Sequence, residues 1–219
     1  LKKKIWATGG LLATGLLATV LIAGPLLLVH GDATPTTTEL AAPTTVKTGT
    51  QTAKATDVSG TTSNAKVTYQ QNGQTTPAAT YQTNTKTSAT QAAKQVSNQD
   101  HRGEAVKLSD GTKATEQGVM GHIYVSWTKG NWSVTAVTDT TQTLHTDPTT
   151  LASTVNKSLK QNDITTQDVD KGAVTVYSSA QDTTANQITW QNNKQVANVK
   201  AQQAATGYQI AKSVISKTK

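Results

Sequence analysis

The sequence predicts an α+β protein: a small antiparallel sheet with two helices on one face, preceded by an N-terminal transmembrane helix and a disordered stalk. Three observations predict it. Residues 5–29 carry no charge. Residues 33–99 are dominated by Thr, Ala, Gln and Ser. Residues 100–219 alternate between the two-residue period of strands and the 3.6-residue period of helices. The boundaries expected are therefore 1–32 for a membrane anchor or signal, 33–99 for a linker, and 100–219 for an extracytoplasmic domain.

Lys2, Lys3 and Lys4 precede the uncharged run. A helix over residues 5–29 reaches about 37 Å, enough to cross a bilayer core of about 30 Å. The lysines belong on the cytoplasmic side, which puts the rest of the chain outside. The expected localisation is the cell membrane, single-pass, with an extracellular C-terminal domain and the membrane as a partner through residues 5–29. Gly31-Asp32-Ala33 has small residues suited to signal cleavage after Ala33, so a secreted form is the alternative.

Residues 33–99 hold few strongly apolar side chains: Leu40, Val46, Val58, Val67, Tyr69, Tyr81 and Val96. That composition does not offset chain entropy by itself, so disorder is expected. Eight Lys against three acids make residues 1–99 the more basic part, within a total of +7. An anionic cell-wall polymer is the partner such a charge suits. Nucleic acid is not expected, because no recognition motif or concentrated basic patch is present.

In residues 100–219, Glu104–Leu108 reads as an edge strand followed by a turn over Ser109–Thr112. Residues 122–127 and 132–137 alternate on either side of Lys129-Gly130, reading as a hairpin that pairs Trp127 with Trp132. Asp147 and Pro148 are a helix N-cap and first-turn residue, and Leu151, Val155 and Leu159 follow as an apolar stripe. Residues 173–177 read as a strand, 186–199 as a second hairpin and 208–215 as a closing helix. Val125-Ser126-Trp127 matches Ile188-Thr189-Trp190, which reads either as a degenerate ββα repeat or as convergent patterning.

Ile123-Tyr124-Val125-Ser126-Trp127, Asn131-Trp132 and Ile188-Thr189-Trp190 resemble small extracytoplasmic domains of surface proteins from lactic-acid-type Gram-positive bacteria. The resemblance covers about 120 residues. It implies an exported setting, and no activity or site.

The chain has no Cys. That excludes disulfides, thiolate metal sites, a cysteine nucleophile and a lipid-anchored cysteine. No catalytic, metal or cofactor residues are expected. His101, His122, His145, Glu104 and Glu116 match no hydrolytic or zinc motif and read as solvated surface. Ser63-Asn-Ala-Lys66 and Lys47-Thr-Gly49 have the form of acyl-transfer motifs, but in the reverse order and in the Thr-rich stretch. With no Phe in the chain, Trp127, Trp132 and Trp190 read either as core volume or as a stacking platform for a sugar or peptide. The function expected is a non-enzymatic surface domain that binds wall polymer or another surface protein. The alternative is a wall hydrolase or enzyme accessory whose site forms only in three dimensions.

Overall fold

The computed structural model describes residues 33–97, 102–140, 147–179 and 186–217. Strands β1 (Thr45–Thr48), β2 (Gln51–Thr61), β3 (Asn64–Gln71) and β4 (Ala79–Thr85) form a first meander, followed by the short helix α1 (Ala89–Ala93). A second meander comprises β5 (Glu104–Lys107), β6 (Lys113–Val119), β7 (His122–Lys129) and β8 (Trp132–Asp139), followed by α2 (Pro148–Gln161). A third comprises β9 (Lys171–Tyr177), β10 (Asn186–Asn192) and β11 (Gln195–Ala201), closed by α3 (Ala204–Lys217). Among the described residues all eleven strands join one sheet, in the order β1-β2-β3-β4-β11-β10-β9-β8-β7-β6-β5. Neighbours are antiparallel except β8 and β9, which run parallel across the α2 crossover.

This architecture corrects the expected small antiparallel sheet with two helices and a disordered stalk. Residues 45–85 are four strands of the shared sheet. The few apolar residues of that stretch explain it: Leu40, Val46, Val67, Tyr69, Tyr81 and Val96 are all buried. Along β3 they alternate with polar residues, so Ala65, Val67 and Tyr69 face inward while Lys66, Thr68 and Gln70 face out. The segment builds no core of its own. β4 pairs with β11 from Ala79↔Ala201 to Thr85↔Gln195. The meander then curls around α3, so that β1, at the sheet edge, still packs on that helix.

The transmembrane expectation is also corrected. No helix among the described residues is long and apolar enough to cross a membrane. α2 and α3 have 14 residues each, or about 21 Å, and each keeps exposed polar positions. The anchor or signal expected at residues 5–29 lies outside the described residues. The described structure therefore gives the membrane and signal-anchor description no support.

Both long helices cover one face of the sheet. α2 starts where its caps require: the Asp147 carboxylate accepts from the Thr150 amide at 2.8 Å. It lays Ala152, Val155 and Leu159 on β7 and β8. α3 packs on β1, β4, β10 and β11. The opposite face carries α1, which follows β4 and packs on β10 and β11. Gln191 Nε2 donates to the Ala89 carbonyl at 3.0 Å and Lys171 Nζ to that of Ala93 at 3.1 Å, which pins α1 there.

The β7–β8 hairpin turns one residue later than expected. Lys129 pairs with Trp132 and Trp127 with Val134, leaving Gly130-Asn131 as the turn. Gly130 has φ +56°, as the first central position of a type II′ turn requires. The register differs from the expected one by two residues, and a two-residue shift leaves every side chain on its face. The β10–β11 hairpin has the same form: Asn192 pairs with Gln195, and Asn193 has φ +51°.

At the parallel seam Trp132 pairs with Gly172. A Cβ on Gly172 would lie 2.3 Å from Cδ2 and Cε3 of the Trp132 ring, so the indole occupies the space that any other residue's side chain would fill. The Trp132 Nε1 donates to the Gln167 carbonyl at 3.2 Å, and the Gly172 amide to that of Asn131 at 2.9 Å. Asn131 Nδ2 donates to the Val169 carbonyl at 2.8 Å. Gly172→Ala should cost about 1–3 kcal/mol through overpacking, and Trp132→Ala about 3–5 kcal/mol through the cavity it leaves. The double variant should lose clearly less than the sum, because removing the ring removes the clash. Denaturant midpoints of the four proteins test this, and strict additivity would show that the ring does not lie on Gly172.

Candidate functional site

The three tryptophans singled out by sequence lie inside. Trp127, Trp132 and Trp190 are 2%, 1% and 2% exposed. Trp190 stacks on Tyr81, with ring centroids 6.4 Å apart and planes 16° apart. None of the three offers an open ring face, so this structure places them under the helices and not at a ligand surface.

Among the described residues, the remaining sequence candidates do not assemble into one catalytic group. His101 and His145 lie outside the described residues. Ser63 sits in the β2–β3 turn and Lys47-Thr-Gly49 at the other end of β2. That strand has 11 residues, so about 33 Å of extended chain separates the two motifs. Glu104 and Glu116 are directly opposed on β5 and β6, on the helix-covered face. Burial, the nearby Asp147 and then Glu104 push the Glu116 carboxyl above its usual range. Asp110, in the β5–β6 turn, is held well below the carboxylate range by hydrogen bonds from Lys160 and Thr112. It accepts from Asn156 Nδ2 at 2.9 Å and from Lys160, tying this edge hairpin to α2.

The concentrated polar surface is the face of β2, β3, β4, β11 and β10 that points away from α2 and α3, beside the short helix α1. Register aligns Lys66 with Gln82, Gln82 with Asn198 and Asn198 with Thr189. This row crosses four adjacent strands, about 14 Å at sheet spacing. The next row aligns Thr68, Thr80, Lys200 and Gln187. Asn198 Nδ2 donates to the Thr189 hydroxyl at 2.6 Å and Gln187 Nε2 donates to it at 3.1 Å. These bonds hold the amides upright on the strand. Two shallow depressions follow the rows. One of about 270 Å³ includes Lys86, Gln95, Gln187, Asn198 and Lys200 in its lining. The other, about 370 Å³, runs over Asn64 and Lys66 and shares Gln82, Thr83 and Asn84 with the first.

Charge is sorted between the faces. Lys47, Lys54, Lys66 and Lys200 are exposed on this face. Asp57 is the only acid on the strand positions of β1–β4, β10 and β11 that share it, among the described residues. The ion pairs Lys160–Asp110 and Lys212–Asp163 lie on the helix side. The sequence signal for the site was the outward half of each alternation, Lys66-Thr68-Gln70 and Gln82-Asn84. It was hidden because residues 33–99 read as a linker. No family model, curated protein or solved structure matches this chain.

Glu116 provides a pH test of the geometry around it. A carboxyl whose folded pKa is raised contributes most below its unfolded value, about 4.3, and that contribution is lost as pH rises through the folded value. Glu116→Gln should therefore melt above the parent near about pH 7, with the gap closing near about pH 3.5. Melting curves across that range check it. A constant gap would mean that the like charges of Asp147 and Glu104 do not act on Glu116.

Proposed function

We propose that this chain is a non-enzymatic cell-surface binding domain whose sheet face opposite α2 and α3 holds an anionic, polyhydroxylated polymer of the cell-wall type. The observation that carries this reading is the row Lys66, Gln82, Asn198, in register on consecutive strands, with the buried Thr189 hydroxyl holding the Asn198 amide in place and with Lys54 and Lys200 on the same face. Ammonium groups attract phosphate or carboxylate, while amides and hydroxyls exchange hydrogen bonds with sugar hydroxyls. A repeating surface suits a repeating ligand, and several weak contacts in a row add through multivalency. The resemblance to extracytoplasmic surface domains agrees with such a setting.

Binding to purified anionic wall polymer should weaken as salt shortens the Debye length from about 10 Å at 0.1 M to about 3 Å at 1 M. An exposed charge pair contributes about 0.2–1 kcal/mol. Reversing two lysines in Lys66→Glu/Lys200→Glu should then lower affinity about tenfold or more, with the melting midpoint unchanged. Calorimetry and melting on the same preparations measure both. Binding indifferent to salt and to the reversals would remove the reading.

A further inference from the structure

The same sheet face carries a second feature of different chemistry. At the end of β7, β8 and β9, a cleft of about 390 Å³ is lined by His122, Tyr124, Val137, Asp139, Tyr177, Ser178 and Ser179. Its volume lies within the roughly 300–1,000 Å³ of small-molecule sites. Register builds it: Tyr124 lies opposite Val137 on one side and Tyr177 lies beside Val137 on the other. The two phenols are thus two strand spacings apart, about 10 Å, over the buried floor of Val137. His122 stands edge-on to Tyr124, with centroids 6.2 Å apart and planes at 72°, and braces that wall. One step along the strands, His122 pairs with Asp139, which puts a carboxylate and an imidazole at the head of the cleft beside Ser178. Burial and the nearby Tyr124 raise the Tyr177 phenol above its usual range, as expected for two rings sharing one recess.

We infer that this cleft is a subsite for the neutral sugar ring of a glycan, with Tyr124 and Tyr177 as side walls and Asp139, His122 and Ser178 as hydroxyl partners. The inference extends the polymer-binding reading and rests on it. Among the described residues no lysine or arginine lines the cleft while Asp139 does, which suits a neutral ligand better than a phosphate or carboxylate. Two aromatic walls and an apolar floor suit the C–H faces of a pyranose. A carboxylate accepts hydrogen bonds from vicinal hydroxyls. The cleft also lies on the line of the lysine rows. Lys200 pairs with Gln187 and Gln187 with Thr175, and Thr175 shares its face of β9 with Tyr177, about 7 Å further along. A chain laid on the rows reaches the cleft without leaving the sheet.

The test uses the full chain and three neutral probes: methyl glucoside, methyl galactoside and N-acetylglucosamine, followed by saturation-transfer NMR and titration. At least one should bind, with an affinity unchanged by salt. Tyr124→Leu and Tyr177→Leu keep apolar volume but lose the flat ring, and each should weaken binding about tenfold. Tyr124→Phe should bind within about threefold of the parent, which separates stacking from loss of fold. Lys66→Glu/Lys200→Glu should bind the neutral sugar as the parent does while losing the anionic polymer. If no probe binds, or if the Leu variants bind as the parent does, the cleft assignment falls. If the Leu variants lose the sugar but the lysine reversals keep the polymer, the cleft stands and the sheet-face reading falls.

Discussion

The contact of the Trp132 indole with Gly172 joins two otherwise separate sets of antiparallel strands. Each meander is held by local hairpins, but β8 and β9 are parallel and need a crossover to meet. That crossover is α2 and the chain after it. Trp132 reaches over Gly172, its Nε1 holds the Gln167 carbonyl, and Asn131 holds that of Val169. The start of β8 thus grips the approach to β9 at three points. Glycine is required at 172 because the ring, and not a side chain, fills the space above it.

From that seam the rest of the sheet follows. β10 and β11 present an apolar face to α3, and β4 adds to β11 as the next strand. The first meander then has a surface to complete. A register shift between Ala55 and Asp57 is a bulge, which bends a strand and increases its twist. It lets the long β2 follow the curve around α3. The sheet ends in short strands, β1 and β5, of four residues each; short edges limit pairing between molecules.

The two faces then divide the work. Leu159, Val155, Ile210 and Val214 seal one side. The other is left to Thr, Gln, Asn and Lys on a curved outer surface. There the polar rows owe their order to strand register and their charge to Lys47, Lys54, Lys66 and Lys200 set against the single acid Asp57 among the described strand positions of β1–β4, β10 and β11 on that face. The same face presents chemistry of two kinds: cations and amides along β3, β4 and β11, and phenols with a carboxylate at the end of β7, β8 and β9.

Local elements were legible in the sequence wherever short-range physics decides them. Asp147-Pro148 started a helix because capping involves neighbours only. The β7–β8 alternation put Trp127 and Trp132 on one face under any register of the same parity. Glu104–Leu108 was readable as an edge strand, and β5 covers Glu104–Lys107 of it. Tertiary structure alone decided what became of residues 33–97 and where the polar surface formed. Leu40, Val46, Val67, Tyr69, Tyr81 and Val96 are too few to fold a segment by themselves. They suffice once β11 and α3 supply the opposing apolar surface. The row from Lys66 to Thr189 joins positions more than a hundred residues apart, and only strand pairing makes them neighbours. Burial of the tryptophans was likewise decided by which side α2 and α3 cover, a choice that depends on packing across the whole sheet and is written in no single stretch of chain.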